Sequence, residues 1–279
     1  MMLSVPSAAL IASKRPALVA ALAILICGAP IAAQRAELAK ARSAYNQQQF
    51  DDAIAAALNA QTVGGTADAA TVVLSRAYLE RYRQRANPAD LAAARAQLGT
   101  VRVSNLDSRD HVDFMMALGE ALFFEDDFGA AAAMFESGID SALAQGAATG
   151  EAMLDWWGSA VERQAESLER DQRAVVFGRM RERMTRELAR NPGSAAGAYW
   201  AVVAARGAGD ARGAWDAAVA AWVRARLAGS RSAQLRADLD KLVLEGIIPD
   251  RVRALPQERR GQAEADLRTE WAILKERWK

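Results

Sequence analysis

The chain has 279 residues, a formal charge of +1, one histidine and one cysteine. That balance carries none of the basic excess of a nucleic-acid binder, and one histidine with one cysteine excludes zinc sites built from several of either. Alanine dominates, aromatic residues make up only 6%, and no segment alternates Val, Ile and Thr as a sheet requires, so the expected class is all-α.

The first thirty or so residues stand apart. Lys14 and Arg15 precede an uncharged apolar stretch from Ala17 to Ile26, then Cys27, Gly28, Pro30 and the small residues Ala32 and Ala33. This is the pattern of a secretory signal peptide over residues 1–33, with cleavage after Ala33. The apolar run falls short of the roughly 20 residues that span a bilayer; an uncleaved N-terminal anchor is the alternative, and the only membrane contact expected. Ile26 before Cys27 departs from the small residue that precedes a lipidated cysteine. Removal of Lys14 and Arg15 takes the formal charge from +1 to −1, and removal of Cys27 leaves a mature chain without thiol chemistry. An exported, periplasmic or cell-envelope protein is the expectation.

From Gln34 the sequence reads as paired helices. LAKARSAYNQQQFDDAIAAALNA places Phe50 at the opening of a second helix and Ala53 as a small packing residue, with Ala60 near its end. A longer first helix around Leu74 to Arg83 leads to NPADLAAARAQL, with Leu91, Ala94 and Leu98 in the same relation, and Gly64-Gly65 is a turn between helices. The clearest unit is MALGEALFFEDDFGAAAAMFESG, where Leu118, Leu122, Phe128, Ala131 and Phe135 recur at helical steps on either side of Glu125-Asp126-Asp127. Gly119, Ala131 and Gly138 are small where helices cross, and Phe128 and Phe135 fill the space beside them. The acidic run belongs to the turn, where it favours the next helix N-terminus.

Further along, Met180 and Met184 precede Asn191-Pro192, and GDARGAWDAAVAAW supplies a Gly209-Asp210 turn with Ala214 and Ala218. Met180 lies 34 residues before Ala214. From Ser230 the segments RSAQLRADLDKLVLEGIIPDRVRAL and EADLRTEWAILKERWK read as amphipathic helices punctuated by Pro249 and Pro256.

This phrasing resembles the tetratricopeptide repeat. Met115 takes the tryptophan place of its W-x2-L-G-x2-Y pattern, Leu118-Gly119 and Leu122 follow, and Ala131 and Phe135 supply A-x3-F. The resemblance implies a right-handed superhelix of antiparallel helix pairs over 34–228, an α-solenoid, with residues 229–279 as a helical cap. It also implies a concave groove lined by the first helix of each pair, presenting Met116, Glu120, Phe123 and Phe124 from the clearest unit and Tyr199 and Arg206 from a later one. Trp156 and Trp157 are adjacent and so about 100° apart on a helix, one for the core and one for a groove. Trp200, Trp215, Trp222, Trp271 and Trp278 suit helix packing.

Little material supports catalysis. No nucleophile elbow, phosphate loop, H-E-x-x-H or dinucleotide fingerprint is present. His111 sits at a helix start where Asp107 or Ser108 serves as cap. The arginines of Glu169 to Arg190 are interleaved with acids as on a solvated helix face. No catalytic residue, metal or cofactor is assigned. The expected function is a non-catalytic scaffold that binds a protein or peptide. Two other classes stay open: an envelope hydrolase working through carboxylates of raised pKa, and a receptor enclosing a small apolar ligand.

Overall fold

The computed structural model describes residues 35–62 and 65–279. The expected signal segment and Gly64 lie outside the described residues. Among those described every regular element is helical. In chain order they are α1 (35–46), α2 (Phe50–Gln61), α3 (Ala67–Arg85), α4 (Pro88–Leu98), α5 (Ser108–Phe124), α6 (Phe128–Gln145) and α7 (Ala147–Glu166). Then come α8 (Arg170–Arg190), α9 (Ala195–Gly207), α10 (Ala211–Arg224), α11 (Ser232–Leu242), α12 (Ile248–Arg253) and α13 (Gln257–Arg277).

Helix starts are set by short polar side chains. Asp107, Asp127, Ser194 and Asp210 each accept a hydrogen bond from the backbone N–H three residues on, at 2.7–3.2 Å. Asn87 accepts from Ala89 just before Pro88, whose missing N–H costs nothing in a first turn. Asp107 is thus the cap of the helix that carries His111, and His111 itself is exposed.

Three of the helix pairs are joined by the same turn. Gln48, Asp126 and Gly209 are left-handed, with φ of 61°, 62° and 81°. The residue after each donates its N–H five residues back, to Ala44, Leu122 and Ala205, at 2.9–3.0 Å. Four residues further on lies the anchor alanine: Ala53, Ala131 and Ala214 donate to Gln49, Asp127 and Asp210 and have no exposed surface. Between α3 and α4 the left-handed residue is Ala86, but the buried alanine, Ala94, comes seven residues after the cap rather than four. That shift in register accounts for part of the uneven repeat spacing.

Each helix from α2 to α10 packs on the next, and α3 also lies on α5, α5 on α7 and α7 on α9. The buried apolar residues form successive clusters: α1 with α2 and α3, then α3 to α5, then α5 to α9, then α9 to α13. Close crossings fall on glycines. A Cβ at Gly119 would overlap the Phe135 ring, and one at Gly158 would overlap the Trp200 indole. Phe135 is fully buried and has nowhere to retreat, so Gly119→Ala is expected to cost about 1–3 kcal/mol in urea unfolding, as overpacking does.

Met180 and Met184 stand where smaller and larger residues pack in other pairs, and both are fully buried. Trp200, Trp215 and Trp222 are buried as expected, but Trp278 lies beyond the end of α13 and is 40% exposed. Trp271 is the fully buried residue of that helix: it lies between Trp215 and Trp222, ring centroids at 5.9 and 5.4 Å, and its indole N–H donates to Asp240 at 2.7 Å. Pro249 does not punctuate. The helical path runs from α11 into α12 through a π turn at Val243–Ile247, whose wider ring accommodates a residue with no N–H to give. Pro256 does interrupt it, capping α13.

Candidate functional site

α3 packs on α5, α5 on α7 and α7 on α9, and one face of α3, α5 and α7 makes a wall. On α5 that face reads Arg109, Asp113, Met116, Glu120 and Phe123, at helical steps of three and four. On α3 it reads Val73, Arg76 and Glu80, and on α7 Thr149, Ala152 and Trp156.

At one end of the wall is a cleft of about 280 Å³, lined by Arg42 and Tyr45 from α1, Val73 and Arg76 from α3, Arg109, Asp113 and Met116 from α5, and Thr149 and Ala152 from α7. Its charges are organised. Arg42 is paired with Asp110, which is 4% exposed. Arg76 lies over the Tyr45 ring at 4.8 Å and donates to Asp113 at 2.6 Å. Its other terminal nitrogen is 3.9 Å from Glu120 Oε1. Glu120 is only 1% exposed, and that oxygen has no hydrogen-bond partner among the described residues. Burial pushes the Glu120 carboxyl up to about 7, against the pull of Arg76. Burial likewise raises Asp110, opposed by Arg42. Arg109 is exposed and makes no ion pair among the described residues.

Further along the same wall is an aromatic cluster. Phe123, Phe124 and Trp156 are each half-buried and meet edge to face, with centroids 5.3 Å apart for Phe123 and Trp156, 5.8 Å for Phe124 and Trp156, and 6.0 Å for the two phenylalanines. Tyr82 closes on Phe124 at 5.1 Å, Phe128 on Phe123 at 5.1 Å, and the buried Phe135 stacks beneath Trp156. These are favourable ring geometries that still leave surface for a ligand.

The structure thus brings Phe123, Phe124 and Trp156 together. Trp157 turns into the core and is 3% exposed, so it is removed from the contact surface. Met116, at 2% exposed, and Glu120 are also corrected: α3 and α1 cover the seam they face, so Met116 is floor to the cleft and Glu120 lies beneath it.

Tyr199 and Arg206 fall in two separate clefts. Tyr199 lines a polar recess with Asp155, Arg231 and Asp238, where burial pushes its phenol up to about 12. Arg206 pairs with Asp250 at 2.7 Å in a cleft of about 390 Å³ that also holds Glu162, Arg173 and Phe177. Glu162 is raised by burial, opposed by Arg206.

The arginine cleft was missed by sequence reasoning, yet a signal existed. Arg42, Arg76 and Arg109 stand 34 and 33 residues apart, and α1, α3 and α5 deliver them to one cleft. Among the described residues no group of three or more His, Cys, Asp or Glu could hold a metal ion, and no helix is long and apolar enough to cross a membrane. Comparison of the chain with protein-family models, characterised proteins and solved structures returned no significant match.

Proposed function

We propose that this chain is an exported, non-catalytic scaffold that holds a protein or peptide of the cell envelope in a groove lined by α3, α5, α7 and α9. In this reading residues 34–228 form a right-handed superhelix of tetratricopeptide-like pairs, and residues 229–279 cover its last apolar face. The shared turns at Gln48, Asp126 and Gly209 support the repeat reading, as does the periodic delivery of Arg42, Arg76 and Arg109. The export reading rests on the signal-like pattern of residues 1–33.

The observation that carries the binding reading is the half-exposed aromatic cluster of Phe123, Phe124 and Trp156 beside a charged cleft on one wall. Rigid aromatic anchors flanked by charge are what concentrate binding energy at protein interfaces. Capture from envelope extracts of the source cell, comparing wild type with Phe123→Ala/Trp156→Ala, is the test. One or more partners held by wild type should be lost or weakened at least tenfold by the double change. Equal recovery of every partner removes the aromatic surface from the function.

A hydrolase reading has one observation in its favour, the raised carboxyl of Glu162 in the Arg206 cleft beside Glu166. It requires that Glu162→Gln abolish turnover of an envelope glycan or peptide.

A further inference from the structure

The relation of Arg76 to its two carboxylates has a property that goes beyond ligand capture. Arg76 lines the cleft with only 18% of its side chain exposed, and it stands between Asp113, paired with it at 2.6 Å, and Glu120, unpaired at 3.9 Å. One guanidinium therefore serves a carboxylate at the cleft wall and a second that is sealed beneath the floor. Three arginines line the cleft, Arg42, Arg76 and Arg109; the acids against them are Asp110, Asp113 and Glu120. With all three acids ionised the local charges balance. With Glu120 neutral, three cations face two anions, in a recess whose low dielectric magnifies the difference.

We propose that Glu120 is a proton-operated gate on anion binding in this cleft: protonating it frees the charge of Arg76 and strengthens the hold on an oxyanion carried by the ligand. The proposal deepens the ligand-binding reading of this wall and rests on it. Glu120 alone has the features a gate needs. It is sealed from solvent, one of its oxygens lacks a hydrogen bond among the described residues, and it faces Arg76, which also lines the cleft. The groups that act on it are Arg76, Glu80 and Arg83 from α3, Tyr45 from α1, and Asp113 on its own helix. The α7 wall contributes only Ala148, Thr149 and Ala152. Arg76 and Arg83 favour the anion, while burial, Glu80 and Asp113 oppose it, and burial dominates. The gate therefore opens in mild acid and closes in mild alkali.

The oxyanion could be a carboxylate or a sulfate-like group, and acetate and sulfate tell the two apart. Sulfate keeps its charge between pH 5.5 and 8.5; acetate loses part of its charge at the acid end, which would weaken its binding there, opposite to the change expected of the protein. The experiment follows the Arg76 and Arg109 Nε resonances of the full chain by NMR during titration with each anion at the two pH values, and follows the Glu120 side-chain carbon across the range. In wild type one or both anions should bind on the order of tenfold tighter at pH 5.5, a coupling of ordinary size. The change should track the Glu120 carbon. Glu120→Gln should bind with the acid-form affinity at both pH values. The proposal is overturned if Glu120→Gln keeps the pH dependence, if Glu120 titrates with no change in anion affinity, or if neither anion binds. Gated anion binding without any partner captured through the aromatic cluster would sink the scaffold reading and leave the gate standing. Capture with pH-independent anion binding would do the reverse.

Discussion

Replacing Glu120 with glutamine is expected to stabilise the protein at pH 8 by up to about 3 kcal/mol, the worth of raising a carboxyl from its ordinary 4.5 to about 7. The sign follows from proton counting. In the unfolded chain Glu120 loses its proton near 4.5, whereas in the folded chain it keeps it until about 7. Between those values the folded state binds more protons, so wild-type stability falls as pH rises, and above 7 the full cost of an ionised, buried carboxylate is present. Glutamine has no charge to bury. Urea unfolding at pH 8, 7, 6 and 5 should therefore give two curves of stability that converge as pH falls and meet near 4.5. A substitution that destabilises equally at every pH would mean that the carboxylate is satisfied in a way the geometry does not show. A gain in stability from removing a buried acid is common where the residue serves binding rather than folding.

Trp271→Ala should have the largest destabilising effect of any single change considered, about 3–5 kcal/mol. It empties a fully buried site between Trp215 and Trp222 and leaves Asp240 without the indole donor, though Lys275 still reaches it at 2.7 Å. Since Trp271 is the one fully buried residue of α13, its loss should detach that helix before the rest unfolds. Limited proteolysis should then cut near Pro256, and tryptophan fluorescence should shift to the red as Trp215 and Trp222 gain water. A variant that unfolds in one step, with no early cut, would show that α13 and the preceding helices share one cooperative unit.

How much of this was legible beforehand differs by residue, for physical reasons. The paired-helix pattern, the cap at Asp107, the acidic turn before α6 and the small residues Ala53, Ala94, Ala131 and Ala214 follow from local chemistry: small residues at crossings and short polar side chains before them. The divergence of Trp156 from Trp157 follows from helix geometry alone. The left-handed turn was visible at Gly209, which adopts that conformation freely, but not at Gln48, where a glutamine accepts it under the pull of the packed pair. Glu120 was assigned to an open face because it lies on the correct side of α5. What covers it is Arg76 and Tyr45, which stand 44 and 75 residues earlier, and no property of α5 announces them. Pro249 failed as a boundary because a π turn absorbed it, a local adjustment that composition does not encode. The arginine cleft was missed because the repeat was followed through its apolar residues, while the period of 34 and 33 lay in the charged ones.

Arg231 sits in the link between α10 and α11, yet it reaches back to α7, donating to Glu151 at 2.7 Å and to Asp155 at 2.6 Å. Glu151 also accepts the backbone N–H of Ala196, and Asp155 accepts the indole N–H of Trp200. The link beyond α10 thus supplies the counter-charge for two acids of α7, Glu151, which is buried, and Asp155, which is partly exposed. Removing that one arginine would leave both acids without a cation, so α7 and the link beyond α10 are coupled through a single side chain.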